Sequence, residues 1–169
     1  MDLCHLLAGI QELTLSLSLR TGLLRLETLA PVLEYFYLND DTFDGSVCLT
    51  RPPVTLRSCS VTRNRLSGSL DLTNLSEGMV QVFLLNNNFS GETDFQPLPP
   101  LHWLDVSHNF ELSGEVHVFN GQSLQVFNSK VKDFGDSPYS DRTYCEGKFP
   151  PRTAFLFLTV LFRVPVRFL

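Results

Sequence analysis

The chain has 169 residues, enough for one domain with a hydrophobic core but short for two. Apolar residues make up 43% and charged residues 18%, which excludes a disordered chain, and the net charge of -5 argues against the basic surface of a nucleic-acid-binding protein. Four cysteines are too few for a small scaffold held together by disulfides. We therefore expect one folded unit.

The N-terminal residues lack the features of a signal peptide. A positively charged start, a long apolar run and a small-residue cleavage site are all missing there. We expect neither a signal peptide nor a transmembrane helix in this chain, and this end of the sequence does not indicate a compartment.

Glycine recurs at a fixed interval along the first 137 residues. Five of the ten glycines follow one another in steps of 23 residues: Gly22, Gly45, Gly68, Gly91 and Gly114. The same apolar frame, L-x-x-L-x-L-x-x-N-x-L, precedes each of them. One clear copy reads Leu56, Cys59, Val61, Asn64 and Leu66. Such a period is typical of a solenoid built from stacked units.

The frame is clearest in the middle of the array and weaker at both ends. The copy that ends at Gly114 has one extra residue after its Asn, and the copy that ends at Gly22 is faint. In the last copy Leu124 and Phe127 fit the frame, while Ser129 and Lys132 occupy the positions of the expected Val and Asn. We place the repeat array at residues 1–137 and a non-repeat tail at residues 138–169.

The clear units close with the sequence L-S-G-x-[apolar] in 66–70 and 112–116, and with a close variant in 89–93. Together with the frame, this ending resembles the leucine-rich-repeat family, in particular the repeats of plant receptor ectodomains and of kinetoplastid surface proteins. The resemblance implies a receptor-like protein that binds a protein or peptide through a concave sheet, and it allows a cell-surface location.

The predicted fold is a mostly β leucine-rich-repeat solenoid of about 5–6 coils, with a parallel concave sheet and little helix on the convex side. The alternation at the end of each frame, such as Phe36-Tyr37-Leu38, predicts a short strand with one buried face. A second alternation after each glycine, such as Val47-Cys48-Leu49, predicts a second strand. Prolines in the return segment disfavour long helices.

Two repeated polar or small positions have predicted structural roles. Asn64, Asn87 and Asn109 stand where the chain leaves the strand, so their amides are expected to form a ladder that satisfies backbone groups. The recurrent glycine is expected to need a positive φ or a close backbone approach. Cys59 occupies an inward position of the frame and is predicted to be a buried free thiol.

The exposed strand positions of the concave sheet supply the candidate binding residues. The predicted outward side chains include several aromatic or large apolar ones, and Val126 is among them. The predicted contact patch consists of Tyr35, Tyr37, Gln81, Phe83, Trp103 and Asp105. Exposed Tyr and Trp often anchor protein interfaces, although Phe83 and Trp103 would also pack on each other without any binding role.

No catalytic constellation or cofactor motif is present in the sequence. None of the four histidines stands beside a nucleophile, and neither a phosphate-binding loop nor a dinucleotide fingerprint occurs. Asp71, Asp94 and His117 recur at the repeat interval and would stack on adjacent coils. Such residues are more often solvated than metal-bound, so we predict no enzyme, no metal and no cofactor.

Two glycosylation sequons begin at Asn74 and Asn88 and are predicted to lie off the strand face. They leave open an alternative in which the chain is a structural segment of a surface glycoprotein. A further alternative is a fragment of a longer repeat protein without an independent function.

The tail carries an uncharged apolar run at residues 154–162 followed by two arginines. Nine residues are too few to span a bilayer as a helix, which takes roughly 20. A capping strand on the last coil, an interfacial membrane contact helped by the arginines, and a sequence accident in a degenerate or truncated copy all stay open for it. Residues 1–137 carry a net charge of -8 and residues 138–169 a net charge of +3. A basic or neutral protein partner therefore suits the array better than a nucleic acid.

Overall fold

The computed structural model describes residues 9–14, 21–40, 42–96, 98–117 and 122–134. These residues form a mostly β, parallel solenoid of about five turns with almost no helix. The helical content of this part of the chain is one short 3-10 helix, Leu26–Thr28. Residues 15–20 of the faint first copy, Cys4, Cys145 and the apolar run 154–162 lie outside the described residues.

Sheet 1 is built from the strands that the apolar frame predicts. Its six parallel strands are β1 Glu12–Thr14, β3 Tyr35–Tyr37, β5 Ser58–Ser60, β7 Gln81–Phe83, β9 Trp103–Asp105 and β11 Ser123–Gln125, in that order. Glu12 pairs with Tyr35 and Tyr35 pairs with Ser58, so residues one repeat apart lie side by side in this sheet.

Sheet 2 holds the second strand of each turn. Its strands are β2 Thr21–Arg25, β4 Asp44–Cys48, β6 Arg65–Gly68, β8 Asn88–Asp94, β10 Glu111–Val116 and β12 Lys130–Asp133, ordered from β2 to β12 across the sheet. Each of the first five strands of sheet 2 includes the recurrent glycine, whereas the sequence predicts that the strand begins after the glycine. The hydrogen bonds between these strands begin before the glycine: the Arg65 N–H donates to the Phe43 carbonyl at 2.9 Å.

The glycines of successive turns do not lie side by side throughout sheet 2. Gly22 pairs with Gly45, but Gly45 pairs with Leu66 and Gly68 pairs with Phe89. Most strands of sheet 2 are therefore offset by two residues relative to the repeat. An offset of two keeps every side chain on its original face, so the buried pattern survives although the neighbours change.

The core lies between the two sheets and runs through the described turns as one cluster, from Leu13 to Val131. The inward frame positions supply it: Phe36, Phe43 and Phe89 are among its largest fully buried side chains. Cys59 has no exposed surface, and burial raises the pKa of its thiol to about 12. The prediction of a buried free thiol at this position is confirmed.

The recurrent glycines have the backbone conformation that the sequence analysis expects. All five have φ between +85° and +153°, a range that L side chains rarely adopt. At Gly45 a close approach adds to this requirement, because a Cβ atom there would overlap with the carbonyl oxygen of Gly22.

A row of left-handed residues follows the strands of sheet 1, and the apolar frame does not predict it. These residues have φ between 52° and 57°: Asp40, Arg63, Asn86, His108 and Asn128. Each of the first four donates its N–H to a carbonyl of the next turn at 2.7 to 3.0 Å. The chain thus turns sharply while its hydrogen bonds to the next turn continue.

The last described turn is shorter than the repeat, which shifts the predicted register. Leu124 pairs with Leu104, so Leu124 is the second apolar residue of its frame and not the first. Val126, predicted to face outward, therefore packs against the core instead. Ser129 takes the place of the ladder Asn, and its hydroxyl donates to the Val126 carbonyl at 2.6 Å.

Candidate binding surface

The outer face of sheet 1 is the face opposite the core. Strand β3 defines it, because buried Phe36 points inward and its neighbours Tyr35 and Tyr37 therefore point outward. Every second residue of each central strand, and of the residues just after it, faces the same way. These outward residues are Tyr35, Tyr37, Asn39, Ser58, Ser60, Thr62, Gln81, Phe83, Leu85, Trp103, Asp105 and Ser107. All six predicted patch residues lie on this face.

Aromatic side chains stand on this face in two pairs. Tyr35 and Tyr37 are stacked, with ring centroids 6.5 Å apart and planes at 26°. Phe83 and Trp103 are tilted at 47°, with centroids 6.2 Å apart. All four side chains keep part of their surface exposed. The packing of Phe83 on Trp103 that the sequence suggested is therefore present, and a partner can still reach both rings.

Between the two aromatic pairs, strand β5 presents small polar side chains. Ser58, Ser60 and Thr62 are each only 2% exposed, because larger residues on the flanking strands shield them. The Asn39 side-chain oxygen accepts hydrogen bonds from the Ser60 hydroxyl at 2.7 Å and from the Thr62 N–H at 2.9 Å. Burial raises the pKa of Tyr37, and its hydrogen bond with Ser58 opposes the shift. This centre of the face is thus a hydrogen-bonded floor.

Asp105 differs from its predicted environment. The alternation along the strand predicts an exposed side chain, whereas Asp105 is 6% exposed. The reason is its position: Phe83 lies beside it on β7 and Gln125 beside it on β11. Its Oδ1 accepts a hydrogen bond from the Ser107 N–H at 2.9 Å, and desolvation by burial raises the pKa of its carboxyl.

Trp103 carries an unusual polar atom. Its indole Nε1 is buried and has no hydrogen-bond partner, although the ring itself is partly exposed. Buried tryptophan N–H groups normally find an acceptor. A sequence pattern contains no sign of such an orphan donor, since it depends on the conformation of the ring.

The three ladder asparagines are buried and bridge neighbouring turns. Asn87 donates to the Val61 carbonyl of the preceding turn at 2.9 Å and to Leu84 of its own turn at 3.1 Å. Its Oδ1 accepts from the Leu66 N–H at 3.1 Å. Asn64 and Asn109 repeat this arrangement, with Phe43 and Phe89 as the respective donors. The amides thus connect the turns that follow the strands of sheet 1 with the chain at the start of the sheet 2 strands.

The two sequon asparagines, Asn74 and Asn88, are exposed and lie away from the outer face of sheet 1. Asn74 lies in a turn, where its side chain donates to the Thr73 hydroxyl at 2.9 Å. Asn88 opens strand β8. Both side chains are therefore accessible on the folded chain.

The predicted stack of Asp71, Asp94 and His117 is wrong. Because of the two-residue offset in sheet 2, Asp94 pairs with Glu115 and not with His117. Asp71 accepts hydrogen bonds from its neighbour Thr73, at 2.9 Å from the N–H and 2.6 Å from the hydroxyl, and His117 stacks on a phenylalanine ring. No cluster of three or more His, Cys, Asp or Glu side chains suited to a metal ion occurs among the described residues.

Within the described part of the chain, no helix has the length and apolar character needed to cross a membrane. Comparisons of the chain with protein-family models, with curated proteins and with solved structures found no match.

Proposed function

We propose that this chain is a non-catalytic recognition module that binds a protein or peptide through the outer face of sheet 1. The observation that carries the proposal is the pair of aromatic clusters, Tyr35–Tyr37 and Phe83–Trp103, held partly exposed on one six-stranded sheet. Large aromatic side chains on a rigid support are the usual source of binding energy at protein interfaces.

The floor between the clusters supports the same function. The flanking strands lie about 10 Å apart, two strand spacings, so the aromatic pairs border a strip one strand wide. Gln81 contacts this strip: its Oε1 accepts a hydrogen bond from the Ser58 hydroxyl at 3.4 Å. Because Ser58, Ser60 and Thr62 are each only 2% exposed, a partner contacts the aromatic borders and Gln81 and not the strip itself, which suits a peptide segment or a protein loop that lies across the strip.

We further propose that the solenoid is of the leucine-rich-repeat type. The support comes from the repeated apolar frame, the L-S-G-x-[apolar] ending and the hydrogen bonds of Asn64, Asn87 and Asn109. In such a solenoid the frame strands form the concave sheet, which is the surface proposed for binding.

The test replaces both rings of one cluster, as Phe83→Ser with Trp103→Ser. Because each side chain is partly exposed, the double variant is expected to fold while losing most of its partner binding in a pull-down from extract. The matched control is Phe110→Ser with Phe134→Ser, which removes two rings that are 64% and 56% exposed and lie off this face. Equal capture of the same partner by wild type and the first variant would contradict the proposal.

A second candidate, a structural segment of a surface glycoprotein, is supported by the exposure of Asn74 and Asn88. Expression in a eukaryotic secretory system followed by mass spectrometry distinguishes the two. Glycan on both asparagines, together with no partner that depends on Phe83 and Trp103, would favour the structural role.

A further inference from the structure

Asp105 is a buried acid among uncharged neighbours. Phe83 and Gln125 flank it on the adjacent strands, and Trp103 precedes it on the same face of β9. None of the ion pairs among the described residues includes it. The titratable group that acts on it electrostatically is His108, in the turn that follows β9.

This arrangement is unfavourable for the isolated chain. A carboxylate removed from water needs a cation or several donors to offset its lost hydration. Here the Ser107 N–H and hydroxyl are the neighbouring donors, and burial raises the pKa of the Asp105 carboxyl in spite of them. Groups that reduce stability in this way are concentrated at binding and catalytic sites.

A second unfavourable group lies two residues away on the same face. Trp103 Nε1 is a buried donor without an acceptor. The Phe83 and Trp103 rings lie together beside these polar atoms. The site therefore combines an acid that forms no ion pair among the described residues, a donor without an acceptor and two aromatic rings.

We propose that this site binds an arginine side chain of the protein or peptide partner. The guanidinium pairs with the Asp105 carboxylate and stacks on the rings of Phe83 and Trp103, and a main-chain carbonyl of the partner accepts the hydrogen bond of Trp103 Nε1. The inference rests on the proposed function and adds the chemistry of the partner to it.

The charge and shape of arginine fit each of these groups. Its planar guanidinium donates several hydrogen bonds to a carboxylate and also stacks on aromatic rings, which the compact ammonium of lysine does less well. The repeat array carries a net charge of -8, so it attracts a basic partner. Because Asp105 is buried in the free chain, the Phe83 and Trp103 rings turn aside on binding.

The experiment uses a random peptide library displayed on phage and selected on the wild-type chain. Trp103 is the only tryptophan, so its fluorescence reports binding at this site directly. We expect the selected peptides to share an arginine. Replacing that arginine by citrulline, which keeps the shape but removes the charge, is expected to weaken binding by about tenfold or more, as expected for a charged hydrogen bond.

The matched protein variant is Asp105→Asn, which keeps an oxygen to accept from the Ser107 N–H. It is expected to bind the selected peptide about tenfold less tightly and to melt at a higher temperature at neutral pH. A merely structural carboxylate would give the opposite result in the melting experiment. Lower stability of Asp105→Asn would therefore overturn the inference.

The citrulline arm needs only the wild-type chain, so the inference is testable even where a variant fails to fold. Equal affinity for the arginine and citrulline peptides, or selected peptides without a shared arginine, would overturn it. If those peptides still lose binding to the Phe83→Ser, Trp103→Ser variant, measured by isothermal titration calorimetry because this variant has no tryptophan, the proposed function stands and only the arginine is wrong. If the peptides bind that variant as tightly as they bind the wild-type chain, the proposed function fails too.

Discussion

Replacing Asn87 by Ala tests the role of the ladder, and the structure determines which groups would lose a partner. Asn87 is 4% exposed, so water does not substitute for its amide. Its donor contacts are partly redundant: the Val61 carbonyl also accepts from Asn64, and the Leu84 carbonyl also accepts from Asn109. The Leu66 N–H, by contrast, loses the acceptor that Asn87 Oδ1 provides.

The expected loss is therefore that of one buried, unsatisfied backbone donor. Such a group costs about 1 to 3 kcal/mol, and we expect Asn87→Ala to lower the free energy of unfolding by that amount. Urea denaturation followed by circular dichroism measures it.

The neighbouring Asn88 supplies the control for this experiment. It is exposed, and an exposed substitution is expected to change stability by less than about 0.5 kcal/mol. If Asn87→Ala changed stability as little as Asn88→Ala, the assignment of Asn87 to the ladder would be wrong.

Three further predictions concern the backbone and one buried charge. Arg63 has a φ of 54° and is exposed, so Arg63→Asn is expected to raise the free energy of unfolding by up to about 1 kcal/mol in urea; a decrease would contradict the strain argument. Gly45→Ala is expected to lower the melting temperature more than Gly91→Ala, because both positions have positive φ but only Gly45 also approaches a neighbouring backbone; equal shifts would contradict this. The folded pKa of Asp105 is raised, so the folded state holds its proton to a higher pH than the unfolded state and stability falls as pH rises through that pKa. Asp105→Asn is therefore expected to be more stable than wild type at neutral pH, with the difference vanishing below the unfolded pKa of about 4 in pH-dependent denaturation.

Much of the architecture follows from the repeat in the sequence. The period of the glycines predicts the number of turns, and the apolar frame predicts which side chains are buried: Leu33, Phe36 and Leu38 of one copy are all at most 1% exposed. The alternation along a strand also places Tyr35 and Phe83 on the outer face. These predictions succeed because each depends on the spacing of residues along the chain and not on which residues of neighbouring turns come together.

Other features were predicted wrongly or not at all. The second strand begins earlier than predicted, since the hydrogen bonds at Arg65 form before the glycine. Val126 packs inward because the last described turn is short. The sequence did not reveal this, because Leu124 can be aligned with either the first or the second apolar position of the frame. The row of left-handed residues was not predicted, although each of them directly precedes the frame Asn or the residue that replaces this Asn. Asp, Asn and His, which make up most of the row, are residues that tolerate this conformation.

The sequence by itself determined which frame residues of the central turns face the core and which strand positions repeat, because a period of two along a strand and of 23 along the chain leaves few alternatives. Only the tertiary structure decided which residues of neighbouring turns lie side by side in sheet 2, because the offset between strands depends on how the whole turn packs. It also decided that Asp105 is buried and that Trp103 Nε1 lacks an acceptor, because neighbouring side chains determine both. These two polar groups support the arginine proposal.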